Sequence, residues 1–287
     1  MDQAGDKLDG RYRLIAKIGS GGYGVVYRGR DLATRGEVAV KVMKQAADPA
    51  LIQRFEREAV ALARLRGTAA LFVHAFGRTP AGAPYIVMEL LHGQDLEDFV
   101  GEAESRGGRL KAAKMLELLR PVAQTLTATH QHDIVHRDLK PSNVFVIDAS
   151  AGGGVRLLDF GLAKLMGIET LTAAGMVAGT PSYIAPEAWR GEKGLDHRMD
   201  VYSLGVLVFR CLSGRVPFAT KSLIDLCRWA TTGERPDLSP LRPGLPKLVD
   251  VWVQKALAID RGDRFQSIES SWAALESVLA KSNSSPY

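Results

Sequence analysis

Between Ile134 and Gly161 three side chains, Asp138, Asn143 and Asp159, offer oxygens at a spacing that could serve proton transfer and a hard cation. Two short apolar runs, Val144–Ile147 and Val155–Leu158, lie among them and read as a hairpin with a long, Gly-rich connection, Asp148–Gly154. A carboxylate can orient a hydroxyl and accept its proton. An amide oxygen and a second carboxylate are hard ligands suited to Mg2+. The rest of the chain reads as scaffold organised around this stretch.

Upstream, Arg13–Ile18 alternates apolar and polar residues, as a half-buried strand does. A glycine pattern follows at Gly19, Gly21, Gly22 and Gly24. A dinucleotide-binding reading requires a helix next and an acid about 20 residues on. Here Val25-Val26-Tyr27 continues as strand, and the region that should hold the acid reads Lys41-Val42-Met43-Lys44. A Walker loop requires Gly-Lys-Ser/Thr, which is absent. Two readings remain. One is a hairpin folded over phosphates, with glycines that let backbone N–H groups approach an anion. The other is a plain Gly-rich hairpin.

Glu37–Val42 alternates again, and Lys41 on this half-buried strand needs a partner. Asp48-Pro49 reads as an N-cap and first-turn proline for a helix over Ala50–Arg66, with Leu51, Phe55, Leu62 and Leu65 on one stripe. Glu58 lies beside that stripe and, taken alone, is a solvated helix charge. Phe72–Gly77 and Tyr85–Met88 read as two more strands. The pattern turns helical from Leu96, and Lys111–His132 buries Met115, Leu118, Leu119, Val122 and Leu126. Pro121 predicts a kink or a restart in that helix. Leu162–Thr180 reads as a polar loop, and Asp200 opens a buried helix.

His136-Arg137-Asp138, then Asn143, then Asp159-Phe160-Gly161 is the spacing of the protein-kinase signature. Together with the glycines before Lys41 and the closing Ala185-Pro186-Glu187, it makes the chain resemble a eukaryotic-type (Hanks-type) serine/threonine protein kinase catalytic domain. The run from Gly179 to Glu187 and the Ala-rich composition resemble bacterial members. The resemblance spans roughly residues 11–279. It implies an α+β, bilobal protein-kinase fold. The N-lobe (11–88) would be an antiparallel sheet with one regulatory helix, followed by a hinge (89–92), a mainly helical C-lobe (93–279) and a linker-like tail (280–287).

The implied activity is transfer of the ATP γ-phosphate to Ser/Thr hydroxyls of protein substrates, with ATP and Mg2+ (or Mn2+) as cofactors. Asp138 would be the base, Lys140 would reach the γ-phosphate, and Lys41 would hold the α- and β-phosphates while paired with Glu58. Thr180 would bridge Asp138 and Lys140. Asn143 and Asp159 would ligate the metal. The nucleotide would meet Ile18, Gly19, Gly21, Gly24, Val26, Ala39 and Phe145, the gatekeeper Met88, backbone groups at Glu89 and Leu91, and Asp95 at the ribose. His136 would pack behind Phe160, Asp200 would tie down the catalytic-loop backbone, and Arg264 would pair with Glu187.

Regulation is implied by Arg137, whose cation is poised to receive a phosphate added at Thr170 or Thr172. Arg54 and Lys164 would assist, and a transient homodimer would perform the autophosphorylation. Two departures from the family pattern stand out. Phe145 replaces the usual aliphatic residue under adenine, and Arg261 replaces a usual proline. The alternatives are a pseudokinase or scaffold module of the same fold, which would lack Lys41, Asp138, Asn143 or Asp159, and a small-molecule kinase, which would lack the full Ala-Pro-Glu segment. All of these residues are present.

Composition narrows the classes further. The 46% hydrophobic and 24% charged content is that of an ordinary globular protein. A net charge of +5 without a dense basic run argues against nucleic-acid binding. Cys211 and Cys227 lie in apolar segments without metal spacing and read as buried thiols in a reducing compartment. The histidines show no metal-ligand spacing. No secretory leader or membrane-spanning run is visible. The expected setting is the cytoplasm, either free or as the cytoplasmic part of a longer, membrane-attached protein.

Overall fold

The computed structural model describes residues 5–20, 24–43, 65, 67–160 and 181–280. The helix expected over 50–66, apart from Leu65, and the loop expected over 162–180 lie outside the described residues. The chain divides into two compact units between His92 and Gly93.

In the first unit, β1 (Lys7–Leu8), β2 (Tyr12–Ser20), β3 (Gly24–Asp31), β4 (Glu37–Met43), β5 (Val73–Arg78) and β6 (Pro84–Glu89) form one sheet in the order β1-β2-β3-β4-β6-β5. All of its pairings are antiparallel. Side-chain alternation decides which residues enter the core. Val38, Val40 and Val42 of β4 pack with Leu8, Tyr12, Leu14, Tyr85 and Val87. Ala39, Lys41 and Met43 consequently take the opposite face. The sheet begins ahead of Arg11: Leu8 is in the core, and the Tyr85 hydroxyl donates to the Asp9 carboxylate. Gly24 is required by the sheet itself, since a Cβ there would sit 2.4 Å from the Val42 carbonyl oxygen.

The second unit carries a small antiparallel sheet, β7 (Gly93–Asp95), β8 (Val144–Ile147) and β9 (Val155–Leu157), with β8 in the middle. Its described helices are α1 (Leu96–Ser105), α2 (Ala112–His130), α3 (Pro186–Trp189), α4 (Arg198–Ser213), α5 (Leu223–Thr232), α6 (Leu248–Ala256) and α7 (Ile268–Ala280). The antiparallel sheet of one unit and the helices of the other are the expected α+β division.

Helix α4 is the core of this unit. It is buried on every side from Met199 to Ser213, as a helix apolar all round must be. A Cβ on Gly205 would lie 2.9 Å from Leu257, so glycine sets the close packing of α4 on α6. Gly214, at φ +81°, ends the helix by donating to the Arg210 carbonyl. Arg210 interrupts the apolar run yet is buried, because its guanidinium meets Glu97 at 2.7 Å and Glu104 at 2.6 Å.

One expectation is narrowed and another corrected. Of the kink or restart expected at Pro121, the restart is excluded: helix α2 runs through the proline, with Leu118, Leu119, Val122 and Leu126 buried on both sides of it. The missing proline N–H deprives the Glu117 carbonyl of its helical donor, at an exposed residue where water can substitute. Cys211 is buried, and burial pushes its thiol up to about 12. Cys227, however, is only half-buried, on the half-exposed face of amphipathic α5.

Arg264 and Glu187 form a fully buried bidentate pair, with N–O distances of 2.8 and 2.6 Å. Arg264 also lies over the Tyr202 ring. Removing one partner leaves an uncompensated buried charge. Arg264→Leu is therefore expected to destabilise the second unit by about 3–5 kcal/mol in urea denaturation. Arg120→Ala, which breaks the exposed pair with Glu276, should cost under about 1 kcal/mol.

Candidate active site

In the first unit, the candidate nucleotide residues fall on one face of the sheet. Lys41 is the register partner of Val26, and Ala39 is the partner of Met88. Ala39 and Lys41 alternate along β4, so Val26, Ala39, Lys41 and Met88 all point away from the main core. Gly19 pairs with Val26, and Ile18 precedes it, half-exposed. At the strand end, Glu89 clamps Phe72 in both directions. Its N–H donates to the Phe72 carbonyl at 3.0 Å, and its carboxylate accepts the Phe72 N–H at 2.8 Å. Leu91 follows, half-buried. Gly21, Glu58, Thr170, Thr172 and Thr180 lie outside the described residues.

In the second unit the site is built on Asp200, at the start of α4. Its carboxylate accepts the backbone N–H groups of His136 and Arg137, each at 2.8 Å, and faces His130 Nε2 at 2.8 Å. Burial alone would raise the pKa of this carboxyl. The hydrogen bond from His130, its charge and the His136 contacts outweigh that and hold the pKa below the ordinary value. The anchor supports an unusual backbone. Arg137 has φ +62° and Asp159 φ +46°, conformations that a non-glycine residue holds only when its surroundings over-determine them.

Beyond the anchor, Asp138 Oδ2 accepts Lys140 Nζ at 2.9 Å and Asn143 Nδ2 at 3.2 Å. Asn143 Nδ2 also donates to the Asp138 backbone carbonyl at 2.7 Å. A carbonyl can only accept, so this bond fixes the amide and turns Asn143 Oδ1 the other way. The Leu158 N–H donates to the Asn143 carbonyl at 2.8 Å, which brings Asn143 to the same end of the β8–β9 hairpin as Asp159. The two offer hard oxygens, and Mg2+ keeps several waters, so a two-ligand site fits its chemistry. Among the described residues no cluster of three His, Cys, Asp or Glu exists to suit an all-protein metal cage.

His136 joins the two halves of this stretch. Its Nε2 donates to the Leu158 carbonyl at 3.0 Å, so Nδ1 is left to accept the Asp138 N–H at 3.3 Å. Its ring lies 4.8 Å from that of Phe160. Burial lowers the His136 pKa. Asp95, the last residue of β7, caps α1 by accepting the Asp98 N–H at 3.0 Å. Asp95, Phe145 and Arg156 form one cross-strand row.

The sequence did not reveal His130 as a support for Asp200, since a lone histidine carries no positional signal. Arg261 was read without a role, but it donates to the Gly194 carbonyl at 2.8 Å and meets Asp196 at 3.5 Å.

A buried histidine with a lowered pKa is a pH-stability statement. The unfolded imidazole binds protons below about pH 6.5 while the folded one resists, so stability falls as pH drops below that value. Between pH 6.5 and 5, His136→Phe should flatten the pH dependence of the denaturation midpoint by up to one proton, about 1.4 kcal/mol per pH unit. An unchanged slope would contradict the buried neutral assignment.

Similarity to known proteins places the chain in a family. The protein kinase domain family model matches residues 12–258. The serine/threonine-protein kinase PknL of Mycobacterium tuberculosis is 37% identical over 94% of this chain and 66% of its own length. PrkC of Bacillus subtilis is 30% identical over 96% of this chain and 41% of its own length. The chain thus spans about two thirds or less of these curated relatives. The crystal structure of the M. tuberculosis PknI kinase domain superposes with a TM-score of 0.75 at 28% identity, covering 96% of this chain and 99% of that one. Enzymes of this family use ATP and a divalent metal and act on proteins. Among the described residues no helix is long and apolar enough to cross a membrane. This chain belongs to the protein kinase family.

Proposed function

We propose that the chain is a serine/threonine protein kinase that transfers the γ-phosphoryl group of ATP to serine and threonine hydroxyls of protein substrates. The observation that carries this reading is the Asp138–Lys140–Asn143 cluster on a loop pinned by Asp200. Asp138 orients the acceptor hydroxyl and takes its proton as the new O–P bond forms and the bond to the β–γ bridging oxygen breaks. Lys140 neutralises the transferred group, with Thr180 bridging it to Asp138. Lys41, paired with Glu58, holds the α- and β-phosphates under Gly19, Gly21 and Gly24. Ile18, Val26, Ala39, Met88 and Phe145 enclose the base, backbone groups at Glu89 and Leu91 bind its edge, and Asp95 binds the ribose. Mg2+, with Mn2+ as substitute, would be held by Asn143 and Asp159 and supplies charge neutralisation across the phosphates.

In this reading the catalytic domain is the expected 11–279 extended back to include β1, whose Leu8 is in the core, with a first lobe ending at 88, a hinge at 89–92, a second lobe at 93–279 and a tail from 280. The substrates and the free thiols suit an ATP-containing, reducing cytoplasm. A phosphotransfer assay on casein tests the proposal. Asp138→Asn should lower kcat by about 10^2–10^4-fold, and Asp159→Asn should abolish metal-dependent turnover. Wild-type rates in either variant would sink these assignments.

We further infer activation by autophosphorylation at Thr170, Thr172 or both, one copy acting on another. A phosphate adds close to two negative charges and three acceptor oxygens. Arg137 can receive it bidentately, beside the catalytic base, with Arg54 and Lys164 assisting. Peptide mass spectrometry before and after phosphatase treatment should find these phosphates. A Thr170→Ala/Thr172→Ala protein as fast as the untreated wild type would place the switch elsewhere.

A further inference from the structure

The small sheet of the second unit has two unlike faces. One bears the row Asp95, Phe145, Arg156. The adjacent row, Gln94, Val146, Val155, faces the other way because side chains alternate along each strand. Against this reverse face lies a cleft of about 410 Å³, open to solvent on one side and lined on the others by Phe99 of α1 and by Lys114, Glu117, Leu118 and Pro121 along one stripe of α2. Its volume lies in the range of small-molecule sites.

The chemistry of the lining is selective. Leu118, Phe99, Pro121, Val146 and Val155 supply an apolar wall. The Gln94 side chain lines the cavity half-buried and makes no hydrogen bond among the described residues, so its amide has both a donor and an acceptor to offer. Pro121 leaves the Glu117 carbonyl without its helical donor, adding a second acceptor on the same wall. Lys114 and Glu117 neutralise each other at 2.7 Å. Asp148 at the mouth has no ion-pair partner among the described residues and opposes anions. Gly153 and Gly154, at φ +68° and +91°, keep the mouth free of side chains.

We propose that this cavity binds a small, uncharged ligand with a secondary amide and an apolar arm, and that its occupancy tunes nucleotide binding. The amide would pair with Gln94 and donate to the Glu117 carbonyl, while the arm packs between α2 and the sheet. The coupling follows from the strand ends. β7 ends on Asp95, β8 begins directly after Asn143, and β9 leads through Leu158 to Asp159. A ligand that wedges the reverse face shifts all three. The coupling rests on the kinase reading above, whereas the binding does not.

The test uses the full chain with methyl-labelled Leu and Val, titrated with N-acetyl-phenylalaninamide. N-acetyl-phenylalaninate serves as the anionic control. Saturable shifts at Leu118, Val146 and Val155 are expected with the amide and not with the anion. Gln94→Ala should weaken binding about tenfold, the scale of one hydrogen bond, and Ala149→Trp should block the mouth. ADP affinity should change at least about fivefold at saturating probe, the lower end of typical coupling between sites. No saturable shift, or shifts that survive both substitutions, would overturn the site. Probe binding with unchanged ADP affinity would overturn the coupling. Probe shifts in a protein that does not bind ADP at all would support the site and count against the kinase reading instead.

Discussion

The second unit depends on one buried carboxylate. Asp200 is fully enclosed, yet it stays ionised because backbone N–H groups of His136 and Arg137 and the ring of His130 converge on it. A buried charge persists only with such compensation. The compensation is also what shapes the site. By holding two consecutive N–H groups, Asp200 fixes Arg137 in a left-handed conformation that an arginine would otherwise avoid, and the next residue is Asp138. The helix that carries Asp200 is the most deeply buried element of the unit, so the reference point for the candidate catalytic loop is the core itself.

From that anchor the constraint passes outward through hydrogen bonds rather than loose packing. Asp138, Lys140 and Asn143 share bonds, and Asn143 passes the register to Leu158 through its backbone. His136 closes the circuit by donating to the Leu158 carbonyl. Residues on both sides of the hairpin are therefore positioned by a common set of atoms. Low-dielectric surroundings make such a network stiff and make any missing member expensive. The first unit works differently. Its sheet sorts side chains by alternation alone, with valines of β4 to the core and Lys41 to the opposite face.

How legible this was in the sequence follows the range of each interaction. The strands of the first unit were legible because alternation is a local pattern, and so was the all-round apolar character of α4. Asp138 and Asn143 stood out by residue type within one short stretch and Lys140 through the family resemblance, and the structure brings the three within hydrogen-bond reach. Asp200 was legible from its residues only as a carboxylate at the head of a buried helix; its role as an anchor came with the family resemblance. His130 was not, because its contact with Asp200 spans 70 positions. The buried pairing of Arg210 was not legible for the same reason: its carboxylates come from a helix more than 100 positions earlier. Pro121 left a restart of α2 open because local preference cannot register the packing on both flanks that carries the helix through it.

The most direct test of the account is to loosen the anchor and read backbone and chemistry in the same sample. Asp200→Asn keeps the shape but removes the charge that holds the two N–H groups. Amide hydrogen exchange at His136 and Arg137 and phosphotransfer to casein would be measured together, with ADP binding as the control. The account predicts that protection and turnover fall together while ADP binding persists. Loss of protection at both amides with turnover unchanged would contradict it.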